Sequence, residues 1–364
     1  MPSPGSWASS GTPWTWGKTV REHDPMRCIL PASLLDKLAR SEDAAVRAAA
    51  LDALALDTRF RIARAEAASR LGGRAAAPIT FARIGGEEHR TIYDKHHATT
   101  QTLGKVVRHE GQRATGDVAV TEAYDGLGNT YDFYWKTFGR DSIDGQGRSL
   151  HGCVHFGQDY PNAFWDGHAM FFGDGDGQFL TRTTAGIDVI GHELTHGVTQ
   201  YEANLVYSGQ SGALNESISD VFGIQVKQMA LGQTSETSDW LIGADIVGPQ
   251  LAPALRSMKD PGHANPHDDQ PADMDGYVPE GDVHTNSGIP NRAFYLVASK
   301  LGGNAWDAAG PIWYAALRDN RLQPTATFQD FARLTVANAQ QAYGQESTEA
   351  DAVTAAWDTV KVPL

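Results

Sequence analysis

The chain is short of cysteine, of basic charge and of long apolar runs, and each shortage removes a class of protein. Only Cys28 and Cys153 occur among 364 residues, so no disulfide framework can hold a loop-rich fold together, and both are expected as thiols. Lysine and arginine number 30 against 44 aspartates and glutamates, a formal net charge of −14. No basic stripe is present to meet a nucleic-acid backbone. No apolar stretch approaches the ~18 residues that a membrane-spanning helix needs, which excludes membrane insertion by a helix. The opening stretch MPSPGSWASSGTPWTWGKTVREHDPMRC lacks the apolar core and small-residue cleavage site of a secretory signal. The expectation is therefore cytoplasmic synthesis, with any export by an unconventional route. What is present, 41% hydrophobic and 20% charged residues, is the composition of a globular protein.

Texture changes along the chain. Residues 1–27 scatter Trp7, Trp14 and Trp16 among Pro, Gly and Ser. From Pro31 an Ala-, Leu- and Arg-rich stretch carries apolar residues at helical spacing, which predicts a small helical unit over about 28–70. Ser33 with Asp36 reads as a capping box, and Ser41 as the cap of a second helix. LGGRAAAPI (71–79) reads as a cleavable linker. The segments RTIYD, GDVAVTEAYDGLGNTYDFYWKTFG and GCVHFGQDYPNAFWDGHAMFFGDGDG predict short strands and turns. From residue 187 onward helices dominate, one stopping at Gly344 and the last opening at Thr348 with Asp351 in capping register. Strands followed by helices argue for an α+β fold. The expected units are 1–74, an irregular segment plus helical propeptide; 75–200, a strand-rich lobe; and 201–364, a helical lobe.

The chemistry concentrates in IDVIGHELTHGVTQYEANLVYSG. Ile187, Ile190, Leu194, Val198 and Tyr201 recur every three or four residues, so a helix is predicted. Residues four apart on a helix lie one above the other, so His192 and His196 can offer two imidazole nitrogens to one ion. Glu193 is placed to touch a water held there, the H-E-x-x-H arrangement of zinc hydrolases. Catalytic zinc takes a third protein ligand, and Glu216 follows in SGALNESISDVFG. Asp220, one turn further, is suited to holding the second nitrogen of a ligating histidine.

Longer stretches extend the pattern. NAFWDGHAMFFGDGDG, GIDVIGHELTHGVTQYEANLVYSGQSGALNESISDVFG, ALRSMKDP and DVHTNSGIPNRAFYL, over about residues 90–364, resemble the thermolysin-like zinc metallopeptidases. The short leader resembles that of the protealysin-like subgroup, whose precursors carry a compact helical propeptide. The resemblance implies a two-lobed unit with the active helix between the lobes. It also implies a zinc endopeptidase, made as an autoinhibited precursor, that cuts on the amino side of large apolar residues by attack of a zinc-bound water. His192, His196 and Glu216 match the zinc ligands and Glu193 the general base. His284, with Tyr207 assisting and Asp282 orienting it, matches the oxyanion stabiliser. Asn162, Ala163 and Arg256 match residues that hold substrate backbone. The implied partners are peptide substrates and the chain's own propeptide in cis, and a monomer is expected. Two alternatives stand beside this: a silent binding fold, disfavoured because every necessary residue type is present, and an aminopeptidase, from which NAFW and HTNSG discriminate.

Three features depart from the pattern. Family members usually carry calcium near the active helix; Asp188 and Asp239 match two of its positions, but Lys227, Leu241 and Ala244 stand where acids are expected. An ammonium cannot sit at the centre of a calcium site, so Lys227 is expected to replace the ion and pair with Asp188, and calcium remains an open question. GDGDGQF (173–179) lacks carboxylates at the fifth and twelfth EF-hand positions, Gln178 and Ala185, and reads as a glycine-rich turn. Cys28, just before the ILP stretch of the propeptide, raises the possibility of a latency switch in which its thiolate takes the fourth zinc position.

Overall fold

The computed structural model describes residues 27–55, 58, 86–100 and 102–364. Trp7, Trp14, Trp16, the 71–79 linker and the 74/75 boundary lie outside the described residues. The first half of the chain builds a mixed six-stranded sheet from β1 (Arg27–Cys28), β2 (Arg90–Asp94), β3 (Lys105–His109), β4 (Leu150–Val154), β5 (Ala163–Trp165) and β6 (Met170–Phe172), in the order β1-β5-β6-β4-β2-β3. β2 with β4 and β4 with β6 run parallel; the other neighbours are antiparallel. β5 and β6 are wholly buried, which is why AFW and MFF read as continuous apolar runs and not as alternation.

One expectation fails here. The segment read as strands and turns forms a 21-residue helix, Val118–Phe138. Asp117 caps it, its carboxylate accepting from the amides of Ala119 at 2.9 Å and Val120 at 3.4 Å, and Gly139 ends it at φ 63°. Such an N-cap is worth about 1 kcal/mol. Gly126 and Gly128, which looked like turn punctuation, mark close crossings. A methyl group at Gly126 would lie 2.2 Å from Ile190 Cδ1, and one at Gly128 would lie 1.9 Å from Arg90 Nη1. Tight packing thus outweighs the ~1 kcal/mol that glycine costs a helix.

Two helices form the middle of the molecule, Ile187–Glu202 and Gly209–Leu231. Both are almost wholly buried, Ser211 through Gln228 without a break, so neither needs a polar face. They cross where a methyl at Gly191 would meet Gly223 Cα at 3.1 Å. That approach brings the second helix's carboxylates beside the first helix's histidines. The helical lobe adds Val283–Asn286, Gly288–Leu301, Ala309–Leu317, Phe328–Tyr343 and Thr348–Thr359. Trp313 and Trp357 stack in its core at 6.0 Å and 11°. A small pair, β7 (Leu241–Ile242) and β8 (Arg256–Ser257), lies in the same lobe. Among the described residues no helix is long and apolar enough to cross a membrane.

Among its described residues the N-terminal segment is only partly helical. Residues 27–28 form strand β1 on the edge of the sheet, and the helix Ala32–Leu38 starts at Pro31 without a side-chain cap. Ser33 lies inside this helix and hydrogen-bonds the Asp282 carboxylate instead of capping. The next helical stretch, over residues 44–55, is capped by Asp43, which accepts from Ala45 at 2.8 Å; Ser41 only receives the Asp43 amide. The last helix is capped by Ser347, one residue before the expected Thr348, with its hydroxyl accepting from Ala350. Leu35, Leu38, Val46, Ala50 and Ala53 bury the apolar side of the propeptide against the rest of the chain.

Candidate active site

His192 and His196 lie one turn apart with ring centroids 4.7 Å from each other and planes at 88°. Glu216 reaches both from the neighbouring helix: Oε2 is 3.4 Å from His192 Nε2, and Oε1 is 3.4 Å from His196 Nε2. Among the described residues this is the one group of three whose ligand atoms all fall within 4.8 Å of one another. The other ring nitrogens are held outward. His192 Nδ1 donates to Asp220 Oδ1 at 2.8 Å, and His196 Nδ1 lies 2.8 Å from Asn215 Oδ1 and 3.0 Å from Ser219 Oγ. Each Nε2 is therefore directed at the shared centre, as a metal ligand's must be.

The site fits a divalent cation on its own evidence. His192 Nε2 and Glu216 Oε2 are fully buried and make no hydrogen bond among the described residues, an arrangement that costs free energy unless a ligand completes it. Burial opposes charge on His192, but Asp220 and Glu216 outweigh it and raise its pKa to about 10. The same negative field would be neutralised by a cation. Two imidazoles and a carboxylate on a rigid helix pair are zinc donors.

Glu193, on the same turn as the histidines, is buried. Its Oε2 accepts from the Trp165 amide at 3.1 Å, and its Oε1 makes no hydrogen bond among the described residues. Burial first, and Glu216 in addition, push its pKa up to about 8 against the opposing charge of His192. His284 faces the centre from across the cleft, with Nε2 3.3 Å from Glu216 Oε2. Asp282 takes its Nδ1 at 2.8 Å and its backbone amide at 2.8 Å. Burial disfavours the charged form of His284, yet Glu216 and Asp282 raise its pKa on balance. Tyr207 bonds to Glu216 and lies 3.4 Å from His284 Nε2. Asp220 also takes Arg256 Nε at 3.0 Å, Arg256 Nη2 at 2.8 Å and Asn291 Nδ2 at 2.8 Å. Arg256 and His192 hold its carboxyl well below the usual range despite burial.

The cleft is filled by the propeptide. β1 pairs antiparallel with β5, Arg27 opposite Trp165 and Cys28 opposite Phe164. His284 Nε2 donates to the Cys28 carbonyl at 3.0 Å, the Ile29 amide donates to the Ala163 carbonyl at 3.3 Å, and Arg256 Nη1 donates to the Ile29 carbonyl at 3.1 Å. Asn162 brackets Leu30, its Oδ1 accepting from the Leu30 amide and its Nδ2 donating to the Leu30 carbonyl, both at 3.1 Å. Every expected site residue is thus brought together, with one difference. The Cys28 thiol is not in the converging ligand group; Cys28 belongs to the buried cluster that includes Phe164, Phe171 and Cys153 and is near enough to Tyr207 to help raise its pKa, and its carbonyl accepts from His284.

The comparisons agree with this geometry. A model of the thermolysin metallopeptidase catalytic domain matches residues 82–200, and one of its alpha-helical domain matches 203–362. The chain belongs to the thermolysin metallopeptidase family. It is 52% identical over 289 residues to an extracellular metalloprotease of Pectobacterium carotovorum subsp. carotovorum, covering 77% of this chain and 82% of that one. It is 42% identical over 257 residues to thermolysin of Alicyclobacillus acidocaldarius subsp. acidocaldarius, covering 68% of this chain and spanning 46% of that longer protein. In three dimensions it is similar to the precursor of protealysin, a metalloproteinase from Serratia proteamaculans. The TM-score is 0.81 with 46% identity, covering 93% of this chain and all of that one. Membership in this thermolysin family, with a propeptide like the protealysin precursor's, makes the protein a zinc metalloendopeptidase formed as a precursor.

Residues that sequence reasoning missed are Asn215, Ser219, Asn291 and Trp165. Asn215 and Ser219 flank Glu216 on one helix and were accessible from the spacing alone. Asn291 and Trp165 come from other elements and carry no local signal. Near the active helix, Lys227 Nζ lies 3.8 Å from Asp188 Oδ2 and 3.2 Å from Asp245 Oδ2. Asp188 also takes the Gly243 amide at 2.7 Å. Leu241 and Ala244 contribute no carboxylate. In the 173–179 loop, Asp176 accepts from the amides of Gln178 and Phe179, a side-chain-capped turn.

Proposed function

We propose that His192, His196 and Glu216 hold the zinc, and that the chain's remaining site residues carry out hydrolysis of a peptide bond preceding a large apolar residue. Zinc, when bound, supplies Lewis acidity: it polarises a carbonyl and acidifies water to a pKa of about 7. Glu193 takes the proton of the attacking water and returns it to the departing amine, a role worth about 10²–10⁴-fold. Its buried, raised carboxyl suits a group that must both accept and release that proton. His284, kept in orientation by Asp282, donates to the developing oxyanion together with Tyr207, a contribution of about 3 kcal/mol. Asp220 fixes the tautomer of His192. Asn162, Ala163 and Arg256 hold substrate backbone.

The observation that carries this reading is the convergence of three buried ligand atoms beside the partly unpartnered carboxylate of Glu193. Ile29, wholly buried beyond the bond facing His284, supports the apolar preference. The Lys227 ammonium, enclosed by Asp188 and Asp245, supports a lobe that needs no calcium at that place. The name of the Pectobacterium relative supports a role outside the cell, and monomeric behaviour is expected on gel filtration. The test is Glu193→Gln in the processed enzyme. The variant is expected to keep one zinc per chain and to lose hydrolysis of peptides blocked at both ends. Unimpaired hydrolysis, or activity confined to peptides with a free amine, contradicts the assignment.

A further inference from the structure

We infer that the Cys28–Ile29 peptide bond is itself a cleavage site: the propeptide lies in the cleft as a substrate in productive register, and the enzyme cuts it within its own chain. This rests on the function proposed above. Five backbone contacts define the register, and none involves a side chain of the propeptide. The Cys28 carbonyl accepts from His284 Nε2, the imidazole nitrogen that lies 3.3 Å from Glu216 Oε2. The next amide, that of Ile29, donates to the Ala163 carbonyl. The Ile29 carbonyl accepts from Arg256, and both polar groups of Leu30 are taken by Asn162. A carbonyl at the oxyanion donor, followed by an amide held by a fixed acceptor, is the arrangement a scissile bond requires.

Side-chain placement agrees. Cys28 and Ile29 alternate across the strand, Cys28 in the cluster around Phe164 and Phe171 and Ile29 in the main core, both buried. Addition of a strand to a sheet edge supplies affinity through backbone bonds while alternate side chains enter pockets.

The step balances with water as the only co-reactant. The water oxygen bonds to the Cys28 carbonyl carbon and the carbon–nitrogen bond to Ile29 breaks. Both water protons pass by way of Glu193 to the Ile29 nitrogen. The products are a carboxylate at Cys28 and an ammonium at Ile29. Both ends stay anchored after the cut, Cys28 by its pairing to β5 and Ile29 through the buried Leu35 and Leu38 of the following helix. The cut therefore gives a nicked but still occupied cleft, which differs from release of the propeptide.

The test uses the full zinc-loaded chain over a range of protein concentrations. Intact mass under denaturing conditions and amino-terminal sequencing follow the chain, and hydrolysis of a doubly blocked peptide is measured in parallel on the same preparation after removal of its propeptide. The expected result is a new amino terminus at Ile29 appearing at a rate independent of concentration. The two fragments together should be heavier than the parent by one water and should co-elute under native conditions. Ile29→Gly should slow the cut at least about tenfold, since apolar pockets discriminate by that much per group removed, and Ile29→Leu should restore it. Cleavage at a rate proportional to concentration overturns the cis arrangement. An intact Cys28–Ile29 bond in a preparation that hydrolyses the blocked peptide overturns the proposal and leaves the peptidase standing. No hydrolysis of either overturns both.

Discussion

Replacing Lys227 by methionine removes the ammonium from beside Asp188 and keeps most of the buried aliphatic volume. Asp188 is wholly buried; its pKa is raised by that burial, against the lowering effect of Lys227 and the Gly243 amide. Lys227 is itself 5% exposed at the side chain, so the pair is shielded from solvent on both sides. Asp245, 53% exposed, can return to water and loses little. Stranding one member of a buried pair costs about 3–5 kcal/mol, and protonation of Asp188 limits the loss by neutralising it. A decrease of about 2–4 kcal/mol in unfolding free energy follows, read from the urea midpoint at constant slope. The sign with pH is fixed: a carboxyl whose folded pKa is raised contributes most below its unfolded value, where it is already neutral. The deficit of Lys227→Met should therefore be smallest near pH 4 and grow toward neutrality. Asp188→Asn in the same chain should recover a large part of it. A loss under about 1 kcal/mol, or a deficit that grows toward acid, refutes the reasoning. A calcium-dependent rise in Tm of the unmodified chain that Lys227→Met abolishes would equally refute a site held by Lys227 in place of calcium.

Gly126→Ala should destabilise by about 1–2 kcal/mol, the overpacking against Ile190 exceeding the gain in helix propensity. Adding Ile190→Val, which deletes the clashing Cδ1, should restore stability; a stabilised single variant contradicts the crossing. His155 donates to Asp174 at 2.9 Å and Asp117 at 2.9 Å; these hydrogen bonds, Asp174's first, raise its pKa from 6.5 to about 9 against burial. Its contribution, ~1 kcal/mol after discounting for solvent screening, is full below pH 6.5 and lost as pH rises through 9. Urea midpoints of the chain and of His155→Gln should therefore converge by pH 10; a constant gap contradicts the assignment. Asp282→Asn should lower kcat about 10–100-fold with KM nearly unchanged, because it loosens the His284 ring and leaves the substrate contacts in place; an equal loss in KM alone would contradict the orienting role.

The histidine pair, Glu216 and Asp220 were legible because helix periodicity converts spacing directly into a shared face. His284 and Arg256 were legible only through the wording around them, since no local rule carries a residue of a short separate helix or strand to carboxylates 36 or more positions away. The helix Val118–Phe138 was misread for a physical reason. A methyl at either of its glycines would lie 2.2 Å from Ile190 or 1.9 Å from Arg90 on other elements, information that a local reading of turn chemistry cannot contain. The same holds for β1: two residues become a strand because an open sheet edge accepts them, and nothing in RC by itself asks for that. Ser33 was taken for a cap because its hydroxyl is suited to one, but Asp282, 249 positions away, claims it.

Hydrolysis of a doubly blocked peptide with leucine after the scissile bond tests the central claim most directly. It is measured on the full chain and on the chain after removal of its propeptide, each with and without a zinc chelator. The account predicts hydrolysis by the processed chain alone, abolished by the chelator and restored by zinc. Equal activity before and after processing, or activity that survives chelation, would contradict it.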